Sequence, residues 1–549
     1  MTYLYSEYGD KEEYYKKYTT QWIIDKCDTQ ILADCINKKL KIVEITFNNL
    51  FNQSIEYLGN CKTLQQIKFG FSFNQSIEPL SNCTALRQIT FCYSFNQSIE
   101  PLQHCKTLQQ ITFGSEFSQS IEHLGHLTNL QQITFGWNFN QPIEPLSNCT
   151  ALRQITFNEE FNQSCEVFRY FTNLQQITFV SSYGLFNVMP WRLPLYFNQS
   201  LEPLQHCKTL KQITFGHNFN RPIEFLSHLT NLQQITFGYS FNLSIEPLKY
   251  CQHLKQITFG RIFNQSIEAL SDCINLQDIT FDHSFNRSIE PLISCQNLQQ
   301  ITFGRSFNQS VEPLGRLINL QQITFDFLSN FNQSVESLRR LTSLQQITFG
   351  FQFNKSIESL SRSTSLQQIT FGEGFNQSID PLRYCTKLEQ ITFGYMFNQP
   401  VEDLRYCKKL RQIIFSRGFN QPIDAFRYTR DLHQITFGDS FNQSIEPLRY
   451  CTELEQITFG KSFNYPVKNL SCCTQLKKIT FSGKFNRSIE ELAKCRQLKT
   501  IVFMCDSEFG HPIDVFSNCT QIILNHNYEE CKKKRDTTRN IFYQMCIIS

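Results

Sequence analysis

The sequence contains no apolar run that approaches the roughly 18–20 residues a membrane helix needs, so no membrane span is expected. Residues 1–17 are rich in tyrosine and charge and lack an apolar core, so no secretory leader is expected there. Excess charge is also small, a formal +3 over 549 residues. A general nucleic-acid binder clusters Lys and Arg against many phosphates, so no nucleic-acid partner is expected. Phosphate-binding loops, dinucleotide fingerprints, nucleophile elbows and His-Glu-x-x-His pairs are all missing. The eleven histidines are scattered. The carboxylates recur as one equivalent column, whereas acid–base catalysis needs two carboxylates in different environments. These absences predict a protein that is not an enzyme and that has no cofactor and no metal.

What the chain does have is repetition. Phe-Asn-Gln returns about every 22 residues, from Phe51, Phe73 and Phe95 to a last form at Phe509, in about 21 copies. A second phrase, Leu-x-x-Ile-Thr-Phe, lies between the copies, as at Leu86–Phe91 and Leu108–Phe113. A short unit that cannot bury its own core must stack on its neighbours, and the stack is a solenoid. In the copy that begins at Phe73 the apolar positions are Phe73, Ile77, Leu80, Cys83, Leu86, Ile89 and Phe91. The closing Ile-x-Phe step has strand alternation. Stacked copies would pair these strands in parallel, about 4.8 Å apart. The three-residue steps predict tight turns or a short 3₁₀ or α turn on the return path. Ser76 suits the cap of that turn, Glu78 its positive end and Pro79 its first residues.

Twenty-two cysteines invite a disulfide scaffold. Fourteen of them, including Cys61, Cys83, Cys105, Cys407 and Cys519, fall ten residues after the repeat Phe. Other copies place Leu127, Phe171, Leu229, Leu317 or Leu341 there. A position that exchanges Cys with Leu and Phe is a buried apolar one, and it predicts reduced core thiols. The Asn after the repeat Phe is expected to point inward as an amide ladder, where a glycan would not fit. Both readings suit a reducing, cytoplasmic compartment. The Phe rows, such as Phe69, Phe91, Phe113 and Phe135, should stack as an aromatic spine.

Phe-Asn-Gln-Ser-Ile-Glu-Pro-Leu followed by Leu-Gln-Gln-Ile-Thr-Phe-Gly closely resembles the FNIP repeat, over about residues 40–525. FNIP repeats resemble short leucine-rich repeats, with Leu86-x-x-Ile89-x-Phe91 in place of the Leu-x-x-Leu-x-Leu strand. The resemblance implies a leucine-rich-repeat-like solenoid that binds protein, of a family typical of social amoebae and of giant viruses that infect them. In a viral setting the compartment would be the host cytoplasm. Some members of the family carry an N-terminal F-box that links them to a ubiquitin ligase. Three readings follow: a protein-binding scaffold, adaptor or host-interaction factor; a ligase substrate receptor with a divergent docking segment; and a structural rod with no specific ligand.

The expected organisation is a cap at 1–41, repeats over 42–525 and a cap or tail at 526–549. Trp22, Ile23, Ile24, Cys27, Ile31, Leu32, Cys35 and Ile36 suit one face of an amphipathic helix in the first cap. Ile522, Ile523 and Leu524 read as a last strand.

Candidate binding residues come from three departures from the repeat. A ridge just after the strand varies from copy to copy and is rich in aromatic residues and Arg, the types enriched in binding hot spots. It includes Phe71, Tyr93, Trp137, His217 and Tyr239. A second row pairs Arg383 with Tyr384, Arg405 with Tyr406, Arg427 with Tyr428 and Arg449 with Tyr450. Each of these arginines follows a carboxylate by three residues, so the row is either local charge pairing or a patch for an anionic partner. An apolar insertion at 183–196, with Met189 and Trp191, is either a binding knob or a flap over the coil edge. The two-residue insertions before Phe331 and Phe509 read as simple bulges. The nearly uniform Gln and Thr of the strand face read as a polar cover or a ligand face.

Overall fold

A computed structural model describes residues 21–24, 42–158, 160–179, 197–504, 509–511, 516 and 521–524. The chain divides into two compact units, Met1–Leu276 and Gln277–Ser549. In a repeat stack each coil touches only its neighbours, so a boundary can fall between any two coils.

Among the described residues of the first unit eleven short strands, from Gln21–Ile24 to Gln256–Thr258, alternate with ten 3₁₀ helices, from Glu56–Asn60 to Glu268–Asp272. Neighbouring strands are parallel and in register, so Gln88, Ile89 and Thr90 lie beside Gln110, Ile111 and Thr112. The described residues of the second unit repeat the pattern with twelve strands, from Asp278–Thr280 to Gln521–Leu524, and ten 3₁₀ helices. This is the expected repeat solenoid, with one short parallel strand per coil and a 3₁₀ return.

The alternation predicted at the strand is present: Ile89 and Phe91 are buried, while Gln88 and Thr90 are half-buried. On the return path Glu78–Asn82 is the 3₁₀ helix. The Ser76 hydroxyl accepts the Glu78 N–H at 3.2 Å, and the helix closes with Cys83 N–H on the Leu80 carbonyl at 2.9 Å. All seven apolar positions of this coil, Phe73 through Phe91, are buried. Each such side chain contributes about 1.5–3 kcal/mol on removal from water, but only when the coils on both sides cover it.

The aromatic spine is double. Strand phenylalanines stack from coil to coil, with Phe69 and Phe91 centroids 5.4 Å apart and 6° from parallel. The repeat phenylalanines form a second column, with Phe73 and Phe95 6.0 Å apart. The two columns interlock, because Phe91 also lies 3.9 Å from Phe95 within one coil.

Two expectations are corrected. Gln21–Ile24 is a strand, pairing Trp22 with Ile45 and Ile24 with Phe47, where a helix was expected. An aromatic and two β-branched residues favour extended backbone, and the edge of Glu44–Phe47 supplies the partners. The other cap residues lie outside the described residues. The repeat Asn is not turned into the core. It is half-buried at Asn74 and Asn96 and exposed at Asn52 and Asn220, so burial does not exclude a glycan. The ladder itself exists: Asn74 Oδ1 accepts Asn96 N–H at 2.9 Å and Gln97 Nε2 at 3.1 Å. Its acceptors take backbone N–H groups of the next coil, which places it along the coil margin.

The insertion does not disturb the register. Gln176–Phe179 pairs directly with Gln212–Thr214, and Asn198 N–H still reaches Asn162 Oδ1 at 3.3 Å. The last strand, Gln521–Leu524, pairs with Thr500–Phe503 as expected.

Candidate functional site

The residue after the strand Phe is commonly Gly, for a steric reason. A Cβ on Gly136 would lie 1.6 Å from the Gly114 carbonyl oxygen. The chain therefore passes tightly over the previous coil and turns outward, and the next residue is the variable ridge position.

In the first unit the ridge makes two separate clusters. Phe71 and Tyr93 are exposed and stack at 4.6 Å and 6°. Tyr93 also bonds Glu116, whose carboxylate raises the phenol pKa. Farther along, His217 and Tyr239 stack at 4.6 Å, and the Arg261 guanidinium lies 5.5 Å from the Tyr239 ring centre. Trp137 is half-buried and joins neither cluster among the described residues.

The second unit holds a ridge feature that the sequence reading passed over as a bulge. The two residues inserted before Phe331 are held in a built turn. Asp326 Oδ1 accepts Leu328 N–H at 2.8 Å, the Asp326 carbonyl accepts Ser329 N–H at 2.8 Å, and the Ser329 hydroxyl accepts Phe331 N–H at 3.2 Å. The turn holds Phe327 62% exposed and Leu328 46% exposed. Phe351 of the next coil bonds its N–H to the Phe327 carbonyl at 2.9 Å and is itself exposed. The available signal was two large apolar residues at a position the repeat assigns to solvent. Tyr395 and Met396 form a further exposed pair, with the Arg417 guanidinium 5.6 Å from the Tyr395 ring centre.

The Arg–Tyr row divides. Arg427 and Arg449 reach back three residues to Asp424 and Glu446, at 3.4 and 3.7 Å. Arg383 instead pairs with Asp403 of the next coil at 3.1 Å. Partial burial raises the Asp403 pKa, with Asp380 adding to the effect and Arg383 opposing it. Arg405 has no carboxylate in ion-pair range among the described residues, and its guanidinium lies 4.9 Å from the Tyr406 ring centre. Three-residue pairing thus occurs at two of the four, and Arg427 also reaches Glu446 of the next coil at 2.5 Å. Tyr384, Tyr406, Tyr428 and Tyr450 are all exposed. The same motif occurs at Arg169–Tyr170 and Lys249–Tyr250 in the first unit, where the sequence reading did not single it out.

Met189 and Trp191 lie outside the described residues. On the strand face the half-buried Gln154 donates to Gln176 at 3.0 Å. His104 is exposed while the adjacent Cys105 is buried, so the two side chains point apart. Among the described residues no group of three His, Cys, Asp or Glu could hold a metal ion. No described helix is long and apolar enough to cross a membrane.

With this geometry in hand, the likeness to solved structures is specific. A protein described as a novel circular leucine-rich-repeat structure, CroV588, is 26% identical, with a TM-score of 0.63. The match covers 90% of this chain and 77% of that one. The leucine-rich-repeat protein LIC12759 of Leptospira interrogans is 10% identical, with a TM-score of 0.50 over 82% of this chain and 98% of its own. The fold is that of the leucine-rich-repeat proteins. Comparison of the sequence with family profiles and with curated proteins finds no match.

In leucine-rich-repeat terms the strand face is chemically uniform, and the turns and 3₁₀ helices carry the variation. Specific recognition needs side chains that differ from coil to coil, so the ridge and the Arg–Tyr row are the stronger candidates.

Proposed function

We propose that the chain is a non-enzymatic repeat scaffold that binds another protein through its variable ridge. The observation that carries this reading is the hydrogen-bonded turn at Asp326–Ser329, which holds Phe327 and Leu328 in water beside exposed Phe351. Large apolar side chains in water give up favourable burial. Three of them together, on a turn fixed by its own hydrogen bonds, make a preorganised contact that loses little entropy when covered. Phe71 and Tyr93 are the counterpart in the first unit.

The finer assignment is an FNIP-type repeat protein that works in a reducing cytoplasm as an adaptor or host-interaction factor. It is supported by the 22-residue unit and by free buried thiols in coil after coil. The strand at Gln21–Ile24 weighs against a helical ligase-docking segment at that position.

The test is quantitative capture from native cytosol, comparing the intact chain with Phe327→Ser/Leu328→Ser and with Phe71→Ser/Tyr93→Ser. These residues are exposed, so circular dichroism and melting should be unchanged. A partner retained by the intact chain and lost from one variant supports the reading. Identical retention by all three chains sinks the ridge as the binding surface.

A further inference from the structure

Residues nine after the repeat Phe lie near the end of each 3₁₀ helix. In seven consecutive coils of the second unit they read Arg316, Arg340, Arg362, Tyr384, Tyr406, Tyr428 and Tyr450. All seven are exposed. The order is segregated, with three cations and then four phenols. Each 3₁₀ helix opens with a carboxylate, as at Glu312, Glu336 and Glu358. Yet among the described residues none of the three arginines has a carboxylate in ion-pair range. Arg339, one residue before Arg340, is the one that pairs, with Glu336 at 2.9 Å. The phenols beyond are flanked by Arg383, Arg405, Arg427 and Arg449, whose guanidinium groups are engaged as described above.

We propose that this strip binds an extended protein segment with carboxylates at one end and apolar or aromatic side chains at the other. The inference rests on the scaffold reading and adds the chemistry of a partner. Three guanidinium groups without carboxylates present forks that match carboxylate geometry. The tyrosines offer broad apolar faces with a polar rim, which suit apolar side chains at a wet interface. A polyphosphate fits less well. Phosphates laid along the whole strip would meet a cation at only three of its seven positions and a phenol at the other four. Six steps between coils, at no less than about 4.8 Å each, span about 29 Å, the length of about nine extended residues.

The test uses the full chain and fluorescein-labelled peptides of about twelve residues. One carries a block of Asp and Glu followed by a block of Leu and Phe, a second has the blocks reversed, and a third has the same composition scrambled. One of the block peptides should bind more tightly than the scrambled one, and its affinity should fall with salt. Arg316→Glu/Arg340→Glu/Arg362→Glu should weaken it about tenfold or more. Tyr406→Ser/Tyr428→Ser should weaken it while leaving the salt dependence intact, and Phe327→Ser/Leu328→Ser should leave it unchanged. The proposal is overturned by equal binding of the scrambled peptide or by indifference to charge reversal. It is also overturned by tighter binding of oligothymidine of similar length, or by no binding of any peptide. In each of those cases ridge-dependent capture from cytosol would still stand or fall on its own.

Discussion

The Cys407 thiol lies 3.4 Å from the carbonyl oxygen of Leu382, one coil back. The same contact joins Cys83 to Leu58, Cys105 to Leu80 and Cys473 to Leu448. The carbonyl already accepts an N–H within its own 3₁₀ helix, as Leu382 does from Cys385. A weak S–H donor can add a bond there without the desolvation cost of a hydroxyl. Coils with Leu127, Phe171, Leu229, Leu317 or Leu341 at this position lack the device, and two others carry a hydroxyl there instead. Ser363 occupies the cysteine position with a buried hydroxyl that has no hydrogen-bond partner, and Thr429 folds its hydroxyl back onto Phe426 at 3.3 Å.

Ser363→Cys should therefore stabilise the chain. It removes an unpartnered buried hydroxyl, a defect of about 1–3 kcal/mol, and supplies a thiol of better size. Cys407→Ser should cost a similar amount in the opposite direction. Hydrogen exchange of the flanking coils measures both. An unchanged or faster-exchanging Ser363→Cys would refute the argument.

The thiols also make stability fall in alkali. Burial pushes Cys149, Cys251, Cys385 and Cys451 up to about 12 from an ordinary value of 9.0. Between those values the folded chain keeps protons that the unfolded chain releases, so rising pH favours unfolding. The thiol contribution is fully present below about pH 9 and is lost progressively as pH approaches 12. Urea midpoints should drop steeply over that interval. Cys385→Leu/Cys407→Leu/Cys451→Leu, with the residue that other coils use, should flatten the drop.

Neighbouring thiols should differ as sharply in chemistry. Cys472 is exposed, whereas Cys473 is buried and held above the usual thiol range by desolvation. Iodoacetamide under native conditions should mark Cys472 and spare Cys473, read by peptide mass. Equal labelling would mean that the coil opens on the timescale of the reaction.

Much of this was legible in the sequence because the chain repeats each physical constraint about 21 times. The interchange of Cys83 and Cys105 with Leu127 marks a buried site without any alignment, and the Ile89-x-Phe91 step marks the strand. The orientation of Asn74 was not legible. A conserved polar residue beside a core Phe suits the interior and the margin equally, and only the position of the next coil's N–H decides. The turn at Phe327 was missed because two extra residues say nothing about their own hydrogen bonds. The free state of Arg316, Arg340 and Arg362 was also hidden, since spacing places a carboxylate four residues before each and only geometry shows that they do not meet.

The amide ladder has a natural defect at Ser118 that can be repaired. Ser118 donates its N–H to Asn96 Oδ1 at 3.0 Å. Its own side chain is too short to pass the pattern on, and no described side chain accepts the Asn140 N–H. Ser118→Asn should restore the step and stabilise by about 0.5–1.5 kcal/mol, the net worth of an ordinary hydrogen bond. Asn376→Ala should lose the bonds to Asn398 N–H and Gln399 Nε2, at 3.0 and 3.1 Å, and destabilise by a similar amount. Asn376→Asp keeps the acceptor and should cost less. Equal losses for Ala and Asp would show that the oxygen is not what matters.

The aromatic spine sets how far damage travels. Phe113 stacks on Phe91 and Phe135, both at 5.8 Å, and on Phe117 at 4.0 Å. Phe113→Ala removes a ring from three stacks at once, and a cavity that size costs about 3–5 kcal/mol. In a one-dimensional stack the loss is felt by adjacent coils and decays with distance. Amide exchange should therefore accelerate in the strands Gln88–Thr90, Gln110–Thr112 and Gln132–Thr134. Strands near Gln234–Thr236, in the same unit, should keep their protection. Uniform acceleration along the whole unit would mean that it unfolds as one cooperative block, and that the coils do not act as separable neighbours.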